Sequence, residues 1–243
     1  MALQLFTKTK ALKALSWILS LPCPLCGGEP ANGEPNMLCP DCMAKIRFAK
    51  APLCPGCGGE LSGILEVCPD CLKAPRRPWK KAVSAMRMEG GAGELIYKFK
   101  YRSRPELARP IGEIAAKALA ESGLKVDALC PTPLHWTRML TRGYNQAELL
   151  AEAISAKSGT PVVHMLKRHK RTGQQAKLNK KQRFENLKGA FSVTDSTLCE
   201  KRSILLIDDV MTTGSTLSAA ADVLLAAGAK EIFVLIAARR QRD

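Results

Sequence analysis

Two groups of residues in this chain are of types and spacings that do chemistry. Toward the end, "ILLIDDVMTTGST", Ile204 to Thr216, runs four aliphatic residues into two adjacent carboxylates and then into a turn of threonine, glycine and serine. Toward the start, eight of the ten cysteines fall between Cys23 and Cys71 as four C-x-x-C pairs, "CPLC", "CPDC", "CPGC" and "CPDC". The first group has the chemistry of a phosphorylated sugar site, the second that of a metal centre.

Consecutive backbone N–H groups of Thr213 to Thr216, with the hydroxyls of Thr212, Thr213, Ser215 and Thr216, can surround one phosphate at a helix N-terminus, and Gly214 allows close approach. No Gly-Lys-Ser/Thr sequence follows, which excludes a Walker A nucleotide loop. Asp208 and Asp209 would repel the same phosphate unless they face another part of the ligand. A ribose 5-phosphate meets both demands: its phosphate sits in the turn and its 2- and 3-hydroxyls donate to the two carboxylates.

Each C-x-x-C turn presents two thiolates to one ion, and the glycine pairs Gly27, Gly28 and Gly58, Gly59 let the chain fold tightly beneath the sulfurs. "CPLCGGE" followed by "CPDC" recurs as "CPGCGGE" followed by "CPDC", a tandem duplication. The economical pairing is sequential, with Cys23, Cys26, Cys39 and Cys42 on one zinc and Cys54, Cys57, Cys68 and Cys71 on another; an interleaved pairing stays open. Disulfides and an iron–sulfur centre are the competing uses, and a reducing compartment argues against the first. Two structural zinc ions would supply much of this region's folding energy, and their tetrathiolate sites would each add about two negative charges.

The acidic pair requires a strand to deliver it and a helix to follow it. From Val83 onward the pattern is α/β: "AVSAMRME" reads as a strand, "GELIYKFKYR" as a helix, and "ELARPIGEIAAKALAES" as a helix interrupted by Pro110. "VDALCPTPL" reads as a buried strand ending in a proline-rich loop, "NQAELLAEAISAKSG" as a helix closed by Gly159, and "PVVHML", "GAFSV", "SILLIDDV" and "EIFVLIAA" as strands, with "STLSAAADVLLAAGA" a helix between the last two. This alternation predicts a mostly parallel sheet with helices on both faces and ligands at the carboxyl ends of its strands. The expected organisation is an N-terminal amphipathic helix over 1–22, a double zinc ribbon over 23–72, a basic proline-rich linker over 73–82, and the α/β domain over 83–243.

The 243 residues carry a formal charge of +15, and nine Lys or Arg against one acid lie between Met165 and Ala190, so an anionic partner is expected. The apolar run after Lys13 is short, ends at Pro22 and lacks a small-x-small cleavage site, which fits a signal peptide poorly. No segment offers the roughly 20 apolar residues of a membrane span, so the protein reads as cytoplasmic. Aromatics that could stack on a nucleic-acid base are few, Trp79, Trp136 and Tyr144, and each reads first as a packing residue; His135, His164 and His169 have no metal-ligand spacing and read as loop or surface histidines.

"ILLIDDVMTTGST" resembles the phosphoribosyl pyrophosphate (PRPP) signature of type I phosphoribosyltransferases. With the cysteine pairs, "PTPLHWTRMLTRGYNQAELLAE" and "TGQQAKLNKKQRFENLKGAF", nearly the whole chain resembles the ComF family of bacterial competence-associated proteins, on Pro131, Pro133, Arg138, Arg142, Gly143, Tyr144, Asn145, Gln146, Thr172, Gln175, Leu178, Arg183, Asn186, Gly189 and Phe191. The resemblance implies a type I phosphoribosyltransferase-like fold that binds PRPP with Mg²⁺. It implies catalytic roles for Asp208, Asp209, Arg138 and Arg142, and a flexible loop, including Thr172, Gln175, Lys180, Lys181 and Arg183, that closes over the ligand. The activity it implies is transfer of a 5-phosphoribosyl group to an acceptor, with any acceptor hood drawn from Trp79 to Lys125 or the ribbons. It equally implies the alternative of a non-catalytic single-stranded DNA binding protein of DNA uptake, with PRPP as a regulatory ligand. Homodimerisation and contact with other competence-machinery proteins complete its expectations.

Overall fold

In the computed structural model of the protein, residues 21–74, 76–169 and 189–240 are described; the N-terminal helix expected over 1–22 lies almost wholly outside them, as does most of the basic segment after Arg168. The strands are β1 (Lys81–Arg87), β2 (Ala128–Pro131), β3 (Leu166–Arg168), β4 (Phe191–Val193), β5 (Ser203–Met211) and β6 (Glu231–Arg239). The helices of the α/β part are α1 (Gly90–Tyr101), α2 (Ala108–Glu121), α3 (Trp136–Arg142), α4 (Gln146–Ser158) and α5 (Ser215–Ala226).

The main sheet has the order β1-β6-β5-β2 and every pair in it is parallel. Buried on both faces, its strands are continuous apolar runs rather than alternating ones, as β5 and β6 show. The period of two still divides them between layers. Leu205, Ile207, Leu235 and Ala237 pack with α1, α2 and α4, whereas Ile204, Leu206, Val234 and Ile236 pack with α5, β3 and β4. The two ribbons are divided in the same way: Cys23, Leu25, Leu38 and Cys42 belong to the first layer, Cys54, Cys57 and Trp79 to the second.

Four expectations need correction. Pro110 does not interrupt a helix; a 3-10 turn at Pro105–Leu107 leads into α2, where Pro110 falls in the first turn and its missing N–H has no intrahelical partner to lose. "PVVHML" is not a strand of the main sheet, contributing only a parallel bridge from Val162 to Leu129 before β3 pairs antiparallel with β4. The loop expected after β2 is largely the helix α3. Finally, Lys81 and Ala82, placed in the linker, already pair with Phe233 and Val234, and Trp79 is buried. Among the described residues no helix is long and apolar enough to cross a membrane.

Candidate functional site

The eight cysteines form two clusters with the sequential pairing, Cys23, Cys26, Cys39, Cys42 and Cys54, Cys57, Cys68, Cys71, each with all ligand sulfurs within 4.8 Å of one another. A tetrahedral zinc with Zn–S of ~2.3 Å needs sulfurs ~3.8 Å apart. The Cys26 and Cys39 sulfurs are 3.5 Å apart and those of Cys57 and Cys68 3.7 Å. Backbone amides of Gly28, Cys42 and Cys68 point at sulfurs at 3.4 Å, the polarity expected around thiolates. Within the second cluster, contacts from Cys57 and Cys71 pull the Cys54 thiol down while contacts with Cys54 push Cys71 up. Thiols crowded enough to share protons in this way are a donor set that one divalent ion satisfies, so the residues fit zinc.

At the carboxyl edge of the main sheet, a cavity of about 940 Å³ gathers the acidic pair, the turn 212–216, and cations from four other elements: Lys100 of α1, Arg138 and Arg142 of α3, Arg168 of β3 and Arg239 of β6. The volume suits a multiply charged small ligand. Asp208 and Asp209 stand at the end of β5, where strand alternation sends them toward opposite layers. On the α1 side, Lys100 Nζ lies 2.9 Å from Asp209 Oδ1, both side chains being largely buried. On the other, Asp208 lies within the field of Arg168. Burial, reinforced by the Asp209 charge, pushes the Asp208 carboxyl up to about 7, against the pull of Lys100 and Arg168. Burial and the neighbouring Arg138 bring Arg168 down to about 10.

The turn has the shape that an anion site needs. Gly214 is left-handed at φ 76°, where a side chain would be strained, and it precedes α5 without a side-chain cap. Ser215 N donates to Thr213 Oγ1 at 3.4 Å, and the Thr213 and Ser215 hydroxyls lie 2.9 Å apart. All five predicted residues, Thr212, Thr213, Gly214, Ser215 and Thr216, line the cavity with Asp208, Asp209, Arg138 and Arg142. The flexible-loop residues Thr172, Gln175, Lys180, Lys181 and Arg183 lie outside the described residues.

The "RGYNQ" stretch explains how two arginines reach this cavity from a short helix. Gly143, at φ 79°, ends α3 with its N–H on Met139 O. The Tyr144 hydroxyl then donates to the Phe99 carbonyl of α1. Asn145 caps α4 through Ala147 N at 3.2 Å and donates to Thr132 O at 3.2 Å. Gln146 accepts from Arg142 Nη1 at 3.1 Å, fixing the guanidinium at the cavity wall. His135 is buried, its ring nitrogen accepting from Thr137 N at the start of α3, so it is a capping residue and not a surface histidine. Trp79 is buried and unavailable to a base, and Tyr144 is tied down; Trp136 is exposed.

Sequence reasoning counted Arg168 as the start of the flexible loop but missed Lys100 and Arg239. Arg239 was open to inference, since it ends a parallel strand at the edge where ligands bind. Lys100 was one of several lysines on α1, and only the three-dimensional packing singles it out.

Such a site on a parallel sheet, joined to paired tetrathiolate clusters, defines a phosphoribosyltransferase-type domain carrying a double zinc ribbon. The family described as phosphoribosyl transferase domain matches residues 139–243, and the double zinc ribbon domain matches residues 14–72. Competence protein F of Haemophilus influenzae is 35% identical over 206 residues, 82% of this chain and 89% of that protein. DNA utilization protein YhgH of Escherichia coli K12 is 30% identical over 230 residues, covering 89% of this chain and 97% of that protein. Competence protein ComFC of Bacillus subtilis is 29% identical over 202 residues, 79% of each. The chain belongs to the ComF family of competence-associated proteins.

Proposed function

We propose that this chain binds PRPP at the carboxyl edge of its sheet and transfers the 5-phosphoribosyl group to an acceptor, releasing pyrophosphate. The observation that carries the reading is a single cavity lined by an acidic pair, a hydroxyl-rich anion turn and four buried or half-buried cations. The turn 212–216 holds the 5-phosphate through backbone N–H groups and hydroxyls. Asp208 and Asp209 accept the ribose hydroxyls, and their charge favours positive character at the ring as the C1–oxygen bond breaks through an oxocarbenium-like state. Arg138 and Arg142 neutralise the departing pyrophosphate, while Lys100 offsets the charge of the acidic pair when the sugar is absent.

Two carboxylates with substrate phosphates are the usual complement of a protein-bound Mg²⁺, so Asp208 and Asp209 fit that ion, which would supply further positive charge beside the leaving group. The test is pyrophosphate release from PRPP offered with a panel of nucleobases and aromatic acids. Wild type should release it with at least one acceptor and Asp208→Asn/Asp209→Asn should not. PRPP binding without release under any condition would remove transfer from the reading.

A second reading is favoured by the names of the relatives, competence protein and DNA utilization protein, and by the cavity's lip. Tyr97 and Tyr101 are exposed with ring centroids 5.4 Å apart, Arg102 and Arg142 lie over them at 5.9 and 5.2 Å, and Trp136 is exposed on α3, the helix that carries Arg142. Single-stranded DNA would stack on such a lip, with PRPP as a regulatory ligand. Loss of oligonucleotide binding on Trp136→Ala or Tyr101→Ala separates base stacking from phosphate attraction, which salt alone removes.

A further inference from the structure

Resting on the assignment of the turn 212–216 as the phosphate site, we infer that Arg77 and Arg239 are positioning residues for that turn and that the second zinc ribbon holds both of them in place. Arg239 Nη1 donates to Met211 O at 2.9 Å and to Thr212 O at 3.1 Å. Arg77 Nη2 donates to the next carbonyl, Thr213 O, at 2.8 Å. Three successive carbonyls are thus drawn to two guanidinium groups. Because a trans peptide sets its N–H opposite its C=O, fixing these carbonyls turns the N–H groups of Thr212, Thr213 and Gly214 the other way. Within the turn the Thr213 and Ser215 side chains bond to each other and to Ser215 N, contacts that leave these three carbonyls to the arginines, and α5 starts without a side-chain cap.

Both arginines meet a cost in this arrangement. Arg77 Nε and Arg239 Nε are buried without a hydrogen-bond partner among the described residues. An unpaired buried N–H is unfavourable, so their orientation serves the carbonyls and not their own satisfaction. The ribbon supplies the constraint. A Cβ built on Gly56, inside the Cys54–Cys57 turn, would stand 3.8 Å from Arg77 Cγ and 2.9 Å from Cys71 Sγ. One built on Gly59 would stand 3.9 Å from Arg239 Cγ, and one on Gly214 3.0 Å from Arg77 Nη1 and 3.4 Å from the buried Trp79 ring. Arg77 also lies 5.4 Å over that ring, and the ribbon is bonded to β1 through Ala82 N to Pro55 O at 2.8 Å. Ribbon turn, arginine stems and phosphate turn are neighbours in that order, with about the width of one methyl group between each stem and its glycine.

The experiment uses the zinc-loaded full chain. PRPP binding by calorimetry and amide hydrogen exchange over 211–217 are measured for wild type, Arg239→Ala, Arg77→Ala and the two lysine variants, with zinc content checked in each. Both alanine variants should keep two zinc ions per chain, weaken PRPP at least tenfold and speed exchange over 211–217, and lysine should recover part of the binding. Wild-type affinity and unchanged exchange in both alanine variants would overturn the inference. If wild type binds no PRPP while the variants still speed exchange, the positioning role stands and the ligand assignment falls. If an alanine variant does not fold, its lysine variant decides: an ammonium without the planar fork of arginine restores the contacts only in part, so wild-type affinity and exchange in the lysine variant would overturn the inference.

Discussion

The two zinc ribbons are near copies in sequence, yet they are used differently. The first is gripped by basic side chains of the α/β domain: Lys98 Nζ donates to Leu25 O at 2.8 Å, Arg104 Nη2 to Pro24 O at 2.9 Å, and Arg109 to Pro35 O at 2.6 Å and Glu34 at 2.9 Å. All three come from helix α1, helix α2 or the turn between them. The second ribbon's Gly56 and Gly59 lie beside the stems of Arg77 and Arg239, whose guanidinium groups reach the carbonyls of the phosphate turn. Both ribbons are thus bonded to the domain, the second through Arg87 to Glu60 and Ser84 to Gly58 O, but of the two it is the second that lies beside the arginines of the turn 212–216.

The largest expected effect comes from removing the metals separately. Cys54→Ser/Cys57→Ser should lose one zinc and abolish PRPP binding, whereas Cys23→Ser/Cys26→Ser should lose one zinc and melt earlier but still bind, as metal analysis and calorimetry would show. Equal loss of binding in both would erase the comparison.

Matched glycine substitutions sharpen it. A Cβ on Gly58, already at φ 70°, would meet Ser84 N at 2.9 Å, and one on Gly91 would meet Lys45 Cβ at 2.9 Å. Gly58→Ala and Gly91→Ala should each cost about 1–3 kcal/mol in chemical denaturation. Only Gly58→Ala should also weaken PRPP.

The acidic pair divides between the same two layers, and pH separates its members. Burial holds the Asp208 carboxyl up near 7, so the native state keeps a proton that an unfolded aspartate releases near ~3.9. Stability should therefore fall as pH rises from about 4 to about 7 and level off above. Asp208→Asn should flatten this profile in thermal melts. PRPP affinity should run the other way in wild type, weakening below pH of about 7 as the carboxylate that accepts a ribose hydroxyl is protonated.

The smallest effect belongs to Arg109→Ala. Its ion pair with Glu34 is exposed, so about 1 kcal/mol of stability should go, with PRPP binding unchanged.

Much of this organisation was legible in the chain. The repeat of C-x-x-C turns marked all eight ligands, because thiols three apart can share one ion, and left open only how the turns pair, while the strand–acid–turn–helix order of 204–226 marked the candidate site. What escaped were contacts between distant segments. Arg77 read as linker because a proline-rich basic stretch carries no sign of what its side chains touch. Trp79 reads as a packing residue from the chain and is one, but what it packs beneath, Arg77 and Gly214, was not legible. β3 shifted from "PVVHML" to Leu166–Arg168 because pairing with β4, and not local β propensity, sets where it begins.

The central claim, a sugar-phosphate site at Asp208, Asp209 and the turn 212–216, is tested most directly by calorimetric titration of the zinc-loaded protein with PRPP and Mg²⁺. The predicted result is saturable binding that is lost in Asp208→Asn/Asp209→Asn. The absence of binding by folded, zinc-loaded wild type would contradict it.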